Sequence, residues 1–168
     1  FGPDDLMVSL VLERLGSCLV QDREHSRAAD CFRDALRIRS LHFRDSDLES
    51  ASAHFGLGVV NCEEGNYDES LDRYEDALRI RRAVLGENHV DVAQIYNNIG
   101  SVYARNQEYG RAVQPWRHAL GMYKELGLED DHPKVACTLG NIEISEKLVS
   151  IPQPRGAQRK EIRKFDVY

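Results

Sequence analysis

Residues 92–123 read VAQIYNNIGSVYARNQEYGRAVQPWRHALGMY, two amphipathic patterns joined by a short polar turn. Ile95, Tyr96, Ile99, Val102 and Tyr103 recur at spacings of three and four, as do Ala112, Val113, Trp116, Ala119, Leu120 and Tyr123. That period places each set on one face of an α-helix. Asn106, Gln107 and Glu108 between them are polar and few, which suits a tight turn between two helices. Both helices carry apolar residues on two flanks, so neither stripe is buried by the other alone. The pair needs neighbours of its own kind.

Those neighbours are in the chain. A shift of 42 residues takes Ile99-Gly100 to Leu57-Gly58 and then to Leu15-Gly16. The same shift takes Trp116 to Tyr74 and Phe32, Ala119 to Ala77 and Ala35, and Ala112 to Ser70 and Ala28. A fixed period with a small-residue and aromatic signature means stacked helical repeats rather than one globular core. First helices are predicted over 6–21, 48–63, 90–104 and 134–148, and second helices over 25–41, 67–84 and 109–126.

Asp5, Asp47, His89 and His132 fall at equivalent positions just before the first helices. An Asp there accepts from free backbone N–H groups, and the register assigns the same capping role to the two histidines. Pro133 follows at the first helical position, where a missing N–H costs nothing. Gly65 and Asn66 suit a left-handed helix ending. Gly16, Gly58 and Gly100 each cost about 1 kcal/mol relative to Ala in mid-helix. The repetition implies a close approach of the paired helix, expected at Ala28, Ser70 and Ala112.

The fourth copy is incomplete. Leu139, Asn141 and Ile142 match Tyr96, Asn98 and Ile99 at a spacing of 43, and Glu143 replaces the glycine. Ile151-Pro-Gln-Pro-Arg-Gly then breaks the pattern. The expected fold class is all-α, an α-solenoid of stacked antiparallel helix pairs. Residues 1–150 make three full repeats plus the first helix of a fourth. Residues 151–168 are either a basic tail or a short capping helix that uses Ile162 and Phe165. Phe1–Asp5 stands 84 residues before Leu85–His89 and so reads as an inter-repeat loop; further repeats of the same chain are expected before residue 1.

Composition narrows the function. The 168 residues are 42% hydrophobic and 30% charged, ordinary for a soluble helical protein. No run of 18 apolar residues is present, so no membrane span is expected. A formal charge of −6 argues against a general nucleic-acid binder. Cys18, Cys31, Cys62 and Cys137 lack metal-ligand spacing and read as buried free thiols of a reducing, cytoplasmic compartment. There is no Gly-rich phosphate loop, no Gly-x-Ser-x-Gly and no Cys-x-x-Cys, and no two of the six histidines stand at i, i+4. Glu63-Glu64 and Glu129-Asp130-Asp131 read as solvated turns. The chain is therefore expected to be non-catalytic, with neither cofactor nor metal.

Tyr96, Ile99-Gly100, Tyr103, Ala112, Trp116 and Ala119 resemble the tetratricopeptide repeat. The first copy matches with Leu12, Leu15-Gly16, Leu19, Ala28, Phe32 and Ala35; in the second, His54, Asn61 and Ser70 depart from it. The 42-residue spacing, Ala-Leu-Arg-Ile-Arg at 35–39 and 77–81, Leu-Gly-Glu-Asn-His at 85–89 and Asn97-Asn98 resemble the kinesin light chain variety. That resemblance implies a superhelix whose first helices line a concave face that binds extended peptides or partner helices. On the repeat register, that face carries Glu13, Arg14, Ser17, Phe55, Val59, Asn97, Asn98, Ser101, Arg105, Asn141 and Lys147. A carboxamide both donates and accepts, so Asn97, Asn98 and Asn141 suit a peptide backbone, whereas Gly140 interrupts that pattern. Arg105 and Lys147 imply an acidic ligand, with an aromatic anchor as a further expectation. The alternative is a regulatory array attached to an enzyme, such as a nucleotide-hydrolysing switch, whose catalytic domain lies outside this segment.

Overall fold

A computed structural model describes residue 2 and residues 4–43 and 47–150. Seven α-helices, and no strand, form among the described residues. They are α1 (Leu6–Gln21), α2 (His25–Phe43), α3 (Leu48–Glu64), α4 (Tyr67–Leu85), α5 (Val90–Arg105), α6 (Tyr109–Glu125) and α7 (Pro133–Ser150). The apolar period thus locates every expected helix to within two residues at each end. The capping-helix or tail reading of 151–168 lies outside the described residues.

The chain divides into two compact units, Phe1–Glu87 and Asn88–Tyr168. In the first, α1 packs on α2, α3 on α4, and α2 also packs on α3. In the second, α6 packs on both α5 and α7. Each unit is therefore a stack in which a second helix touches the first helix of its own pair and that of the next. The resulting fold class is an all-α, tetratricopeptide-like α-solenoid.

All four expected caps form. Asp5 Oδ1 accepts from the Met7 amide at 2.8 Å, and Asp47 Oδ1 from the Ser50 amide at 2.7 Å. His89 Nδ1 accepts from Asp91 at 3.1 Å, and His132 Nδ1 from Lys134 at 3.2 Å. A ring nitrogen can accept only when it carries no proton, so both imidazoles cap through unprotonated Nδ1 atoms. Gly65 ends α3 with φ +84°, as expected, but Asn66 does not take the left-handed region; with φ −83° it opens α4 instead. The left-handed position recurs one period away on either side, at Arg23 (φ 60°) and Gln107 (φ 63°).

The mid-helix glycines meet aromatic rings. A Cβ on Gly100 would stand 2.6 Å from Trp116 Cδ1, one on Gly58 2.7 Å from Tyr74 Cε1, and one on Gly16 2.9 Å from Phe32. The expected small residues do approach: the Ser70 hydroxyl donates to the Gly58 carbonyl at 2.7 Å. The tighter constraint, however, comes from the aromatic one helical turn further on. Phe32 is shared, for a Cβ on Gly56 of α3 would also run into its ring. In the second unit Trp116 is the centre of a cluster with Ala104, Ala112, Val113 and Ile142, flanked by Tyr103, Tyr109, Leu120 and Leu148.

Candidate functional site

The candidate residues fall into both units. In the first unit, Arg14 and Ser17 are exposed on α1, and the Ser17 hydroxyl donates to the Glu13 carbonyl oxygen at 3.0 Å. Val59 is buried. Phe55 is half-buried, its ring 5.5 Å from that of Tyr74 at a 58° tilt, with the Arg81 guanidinium carbon 5.0 Å over its face. Such a stacked cation is attracted by the ring quadrupole.

Glu13 departs furthest from an open surface position. Its side chain is buried beside Arg39, with Oε1 3.9 Å from Nη1 and no hydrogen-bond partner for that oxygen among the described residues. Arg39 is itself buried and fully engaged. Its Nε donates to Asp47 Oδ1 at 2.8 Å, Nη1 to the Ser9 hydroxyl at 3.0 Å, and Nη2 to Glu49 Oε2 at 3.0 Å. Burial pushes the Glu13 carboxyl up to about 7; Arg39 opposes this, while Glu49 and Asp47 add to it. Glu13 is thus part of a charge node that ties α1, α2 and the start of α3 together. The one advance signal of this node is the repeated Ala-Leu-Arg-Ile-Arg, whose last arginines are Arg39 and Arg81.

In the second unit Asn97 is held by three contacts. Thr138 Oγ1 lies 3.0 Å from its Oδ1, Trp116 Nε1 donates to its carbonyl oxygen at 2.9 Å, and the Ser101 hydroxyl donates to the same oxygen at 3.2 Å. Asn97, Asn98, Ser101 and Asn141 are all buried, Asn98 completely. The Asn141 amide nitrogen lies 3.9 Å from Cys137 Sγ. Beside Asn97, Lys134 of α7 donates to Gln94 Oε1 at 3.2 Å. Arg105 is half-buried. Lys147 is exposed and pairs with Glu143 at 2.6 Å, which holds that carboxyl below the usual carboxylate range. A Cβ on Gly140, in register with Asn97, would meet nothing within 4 Å.

Asn97, Ser101 and Thr138 are thus brought together, along with Gln94 and Lys134, which the sequence reading missed. Gln94, Asn97, Ser101 and Arg105 form one row on α5 by their spacing of three, four and four. No group of three or more His, Cys, Asp or Glu side chains able to hold a metal occurs among the described residues. No helix among them is long and apolar enough to cross a membrane.

Comparison with known proteins agrees with the fold. Tetratricopeptide repeat families match residues 14–83 and, overlapping them, residues 49–125. A search of curated proteins finds no match. Among solved structures, the crystal structure of BtubC (BKLC) from P. vanneervenii superposes with a TM-score of 0.65 at 18% identity, covering 97% of this chain and 72% of that one. At that identity the likeness concerns the fold. The period of 42, the glycine–aromatic contacts and the family matches lead to one conclusion: residues 14–125 are built of tetratricopeptide repeats.

Proposed function

We propose that this chain is a non-catalytic interaction scaffold that holds an extended peptide, or one face of a partner helix, along its first helices. The observation that carries this reading is the fixation of Asn97. Thr138, Trp116 and Ser101 lock its carbonyl and carboxamide oxygens, and no described residue accepts from its Nδ2. A pre-set amide donor in a polar row costs little entropy to engage and can take a peptide carbonyl whatever the side chain beside it.

The finer reading is a peptide clamp of kinesin light chain type. Asn97-Asn98, Asn141, the 42-residue period and the histidine caps support it. Arg105 in the row and Lys134 beside it favour acidic residues on the ligand. Of the four free cysteines only Cys62 is buried, against the expectation for all four, and Cys18 is exposed on α1; their free state favours a reducing, cytoplasmic compartment.

The test is a peptide array screened against the wild type, Asn97→Ala and Arg105→Glu, with circular dichroism confirming that each variant is folded. Asn97→Ala should weaken binding by about 1–3 kcal/mol, the usual cost of leaving a buried partner unmade. Arg105→Glu should select against acidic peptides. Binders that neither change weakens would place the ligand surface elsewhere.

A further inference from the structure

We propose that the cleft between α2 and α4, beside Asn61 of α3, is a further binding site, and that it takes an aromatic side chain with a hydrogen-donating edge, a tyrosine or tryptophan, from a partner protein. The cleft belongs to the first unit and the ligand row of α5 to the second. The inference does not rest on the ligand reading.

The cleft opens where the second copy departs from the repeat. The place of Asn61 is held by Leu19 in the first copy and Tyr103 in the third, and that of Glu69 by Arg27 and Arg111. Leu19 is buried. The Arg111 guanidinium carbon stands 4.3 Å over the Tyr103 ring, and its Nη2 donates to the Tyr103 hydroxyl at 3.1 Å. The third copy thus fills the two positions with a ring and a cation. In the second copy Asn61 and Glu69 are smaller and bring no ring. What remains is a cleft of about 490 Å³, with Arg33 and Leu36 on the α2 wall, Glu69 and Arg73 on the α4 wall, and Leu57 and Asn61 of α3 between them. Both walls pack on α3, so the cleft stands without an occupant.

The lining selects the occupant. Buried Leu57 and half-buried Leu36 offer an apolar bed. Neither Asn61 nor Glu69 makes a side-chain hydrogen bond among the described residues, so their oxygens are available to a donor. Arg33 pairs with Asp30 at 2.9 Å and Arg73 with Asp76 at 3.8 Å, through side chains all at least 40% exposed. Such pairs cost little to give up. Their guanidinium groups can then stack on a ring, as Arg81 does on Phe55 in this unit. A carboxylate in the cleft would face Glu69, and a cation would face Arg33 and Arg73. An aliphatic side chain would desolvate Asn61 and Glu69 without bonding them. A phenol or an indole meets every demand: an apolar body, a π face for arginine, and an O–H or N–H for the acceptors.

The test titrates N-acetyl-tyrosinamide, N-acetyl-tryptophanamide and N-acetyl-phenylalaninamide into the chain and follows the Leu57 and Glu69 backbone amides by NMR. The first two should shift these signals saturably. The phenylalanine amide has no donor on its ring and should bind about tenfold more weakly. Asn61→Leu with Glu69→Ala removes both acceptors and should abolish that preference. Asn61→Tyr should fill the cleft from within, raise the urea midpoint and abolish the shifts for all three probes. Circular dichroism confirms that the variants are folded, and the first pair keeps the test intact if the Tyr variant is not. Absence of a saturable shift in the wild type would overturn the proposal. So would equal affinity for the three amides, or shifts that persist undiminished in a folded Asn61→Tyr.

Discussion

The guanidinium of Arg81 lies 5.0 Å over the ring of Phe55, in the place where Arg39 meets Glu13 one period earlier. The same two positions of the repeat thus make a cation–aromatic contact in one copy and a buried charge node in the other. The two solutions respond differently to pH. An aromatic ring does not titrate, whereas a carboxyl without a donor to its buried oxygen resists ionisation.

Glu13 should therefore make the first unit less stable as pH rises. Its carboxyl holds a proton up to about pH 7 in the folded chain, against an ordinary value of 4.5. Between those values the folded state binds more protons than the unfolded state, so this group's contribution is complete below about 4.5 and is lost as pH rises through 7. The full loss is at most about 3 kcal/mol. Glu13→Gln should abolish that fall, so the difference between wild-type and variant urea midpoints should widen from pH 5 to pH 8. A constant difference would show that Glu13 ionises freely. Arg39→Met should destabilise at both pH values, because it strands Asp47 and Glu49 without their guanidinium.

The glycines of the repeat should divide into two classes by what their Cβ would meet. Gly100→Ala gains about 1 kcal/mol of helix propensity but drives a methyl into Trp116 at 2.6 Å, and the net effect should be a loss of about 1–2 kcal/mol. Gly100→Leu should lose more. Gly121 and Gly140 are also helical, and a Cβ on either meets nothing within 4 Å. Their Ala variants should gain about 0.5–1 kcal/mol. Urea midpoints check all four, and a neutral Gly100→Leu would contradict the glycine–Trp contact.

The stacking register was legible in the sequence because it repeats. Gly16, Gly58 and Gly100 with Phe32, Tyr74 and Trp116 are three samples of one contact, and the caps at Asp5, Asp47, His89 and His132 are four of another. What breaks the repeat was not legible. Glu13 looks like a surface residue by composition, and only the fold shows Arg39 beneath it. The register puts Asn97 and Asn98 on the peptide-binding face, but their burial depends on neighbours such as Thr138, 41 residues from Asn97. Periodicity says which face a residue is on. It does not say how deeply a neighbouring helix covers that face.

The left-handed position at Arg23, Gly65 and Gln107 offers a stabilising change. A non-glycine residue there carries a backbone cost of about 1–2 kcal/mol, partly offset because glycine loses more entropy on folding. Gln107→Gly should raise stability by about 0.5–1 kcal/mol, and Gly65→Ala should lower it by a similar amount. Thermal midpoints of the two variants should move in opposite directions; shifts of the same sign would mean that these turns relax.

Asn97 and Thr138 should be energetically coupled. The Thr138 hydroxyl lies 3.0 Å from Asn97 Oδ1 and 2.7 Å from the Lys134 carbonyl, and both side chains are buried. Asn97→Ala removes the acceptor and opens space beside Trp116, while Thr138→Val removes the hydroxyl at nearly constant shape. Each should cost about 1–3 kcal/mol. If the two groups bond, the double variant should cost less than the sum of the singles by about 0.5–1.5 kcal/mol. Additive costs would mean that the Thr138 hydroxyl serves only the Lys134 carbonyl. Asn97 would then lose the side-chain contact that orients its amide, while the Trp116 bond to its backbone would survive. The readout is a double-mutant cycle in urea. It also bears on ligand binding: a coupled pair presents the Asn97 donor in one orientation, so Thr138→Val should weaken peptide capture although Thr138 need not touch the peptide.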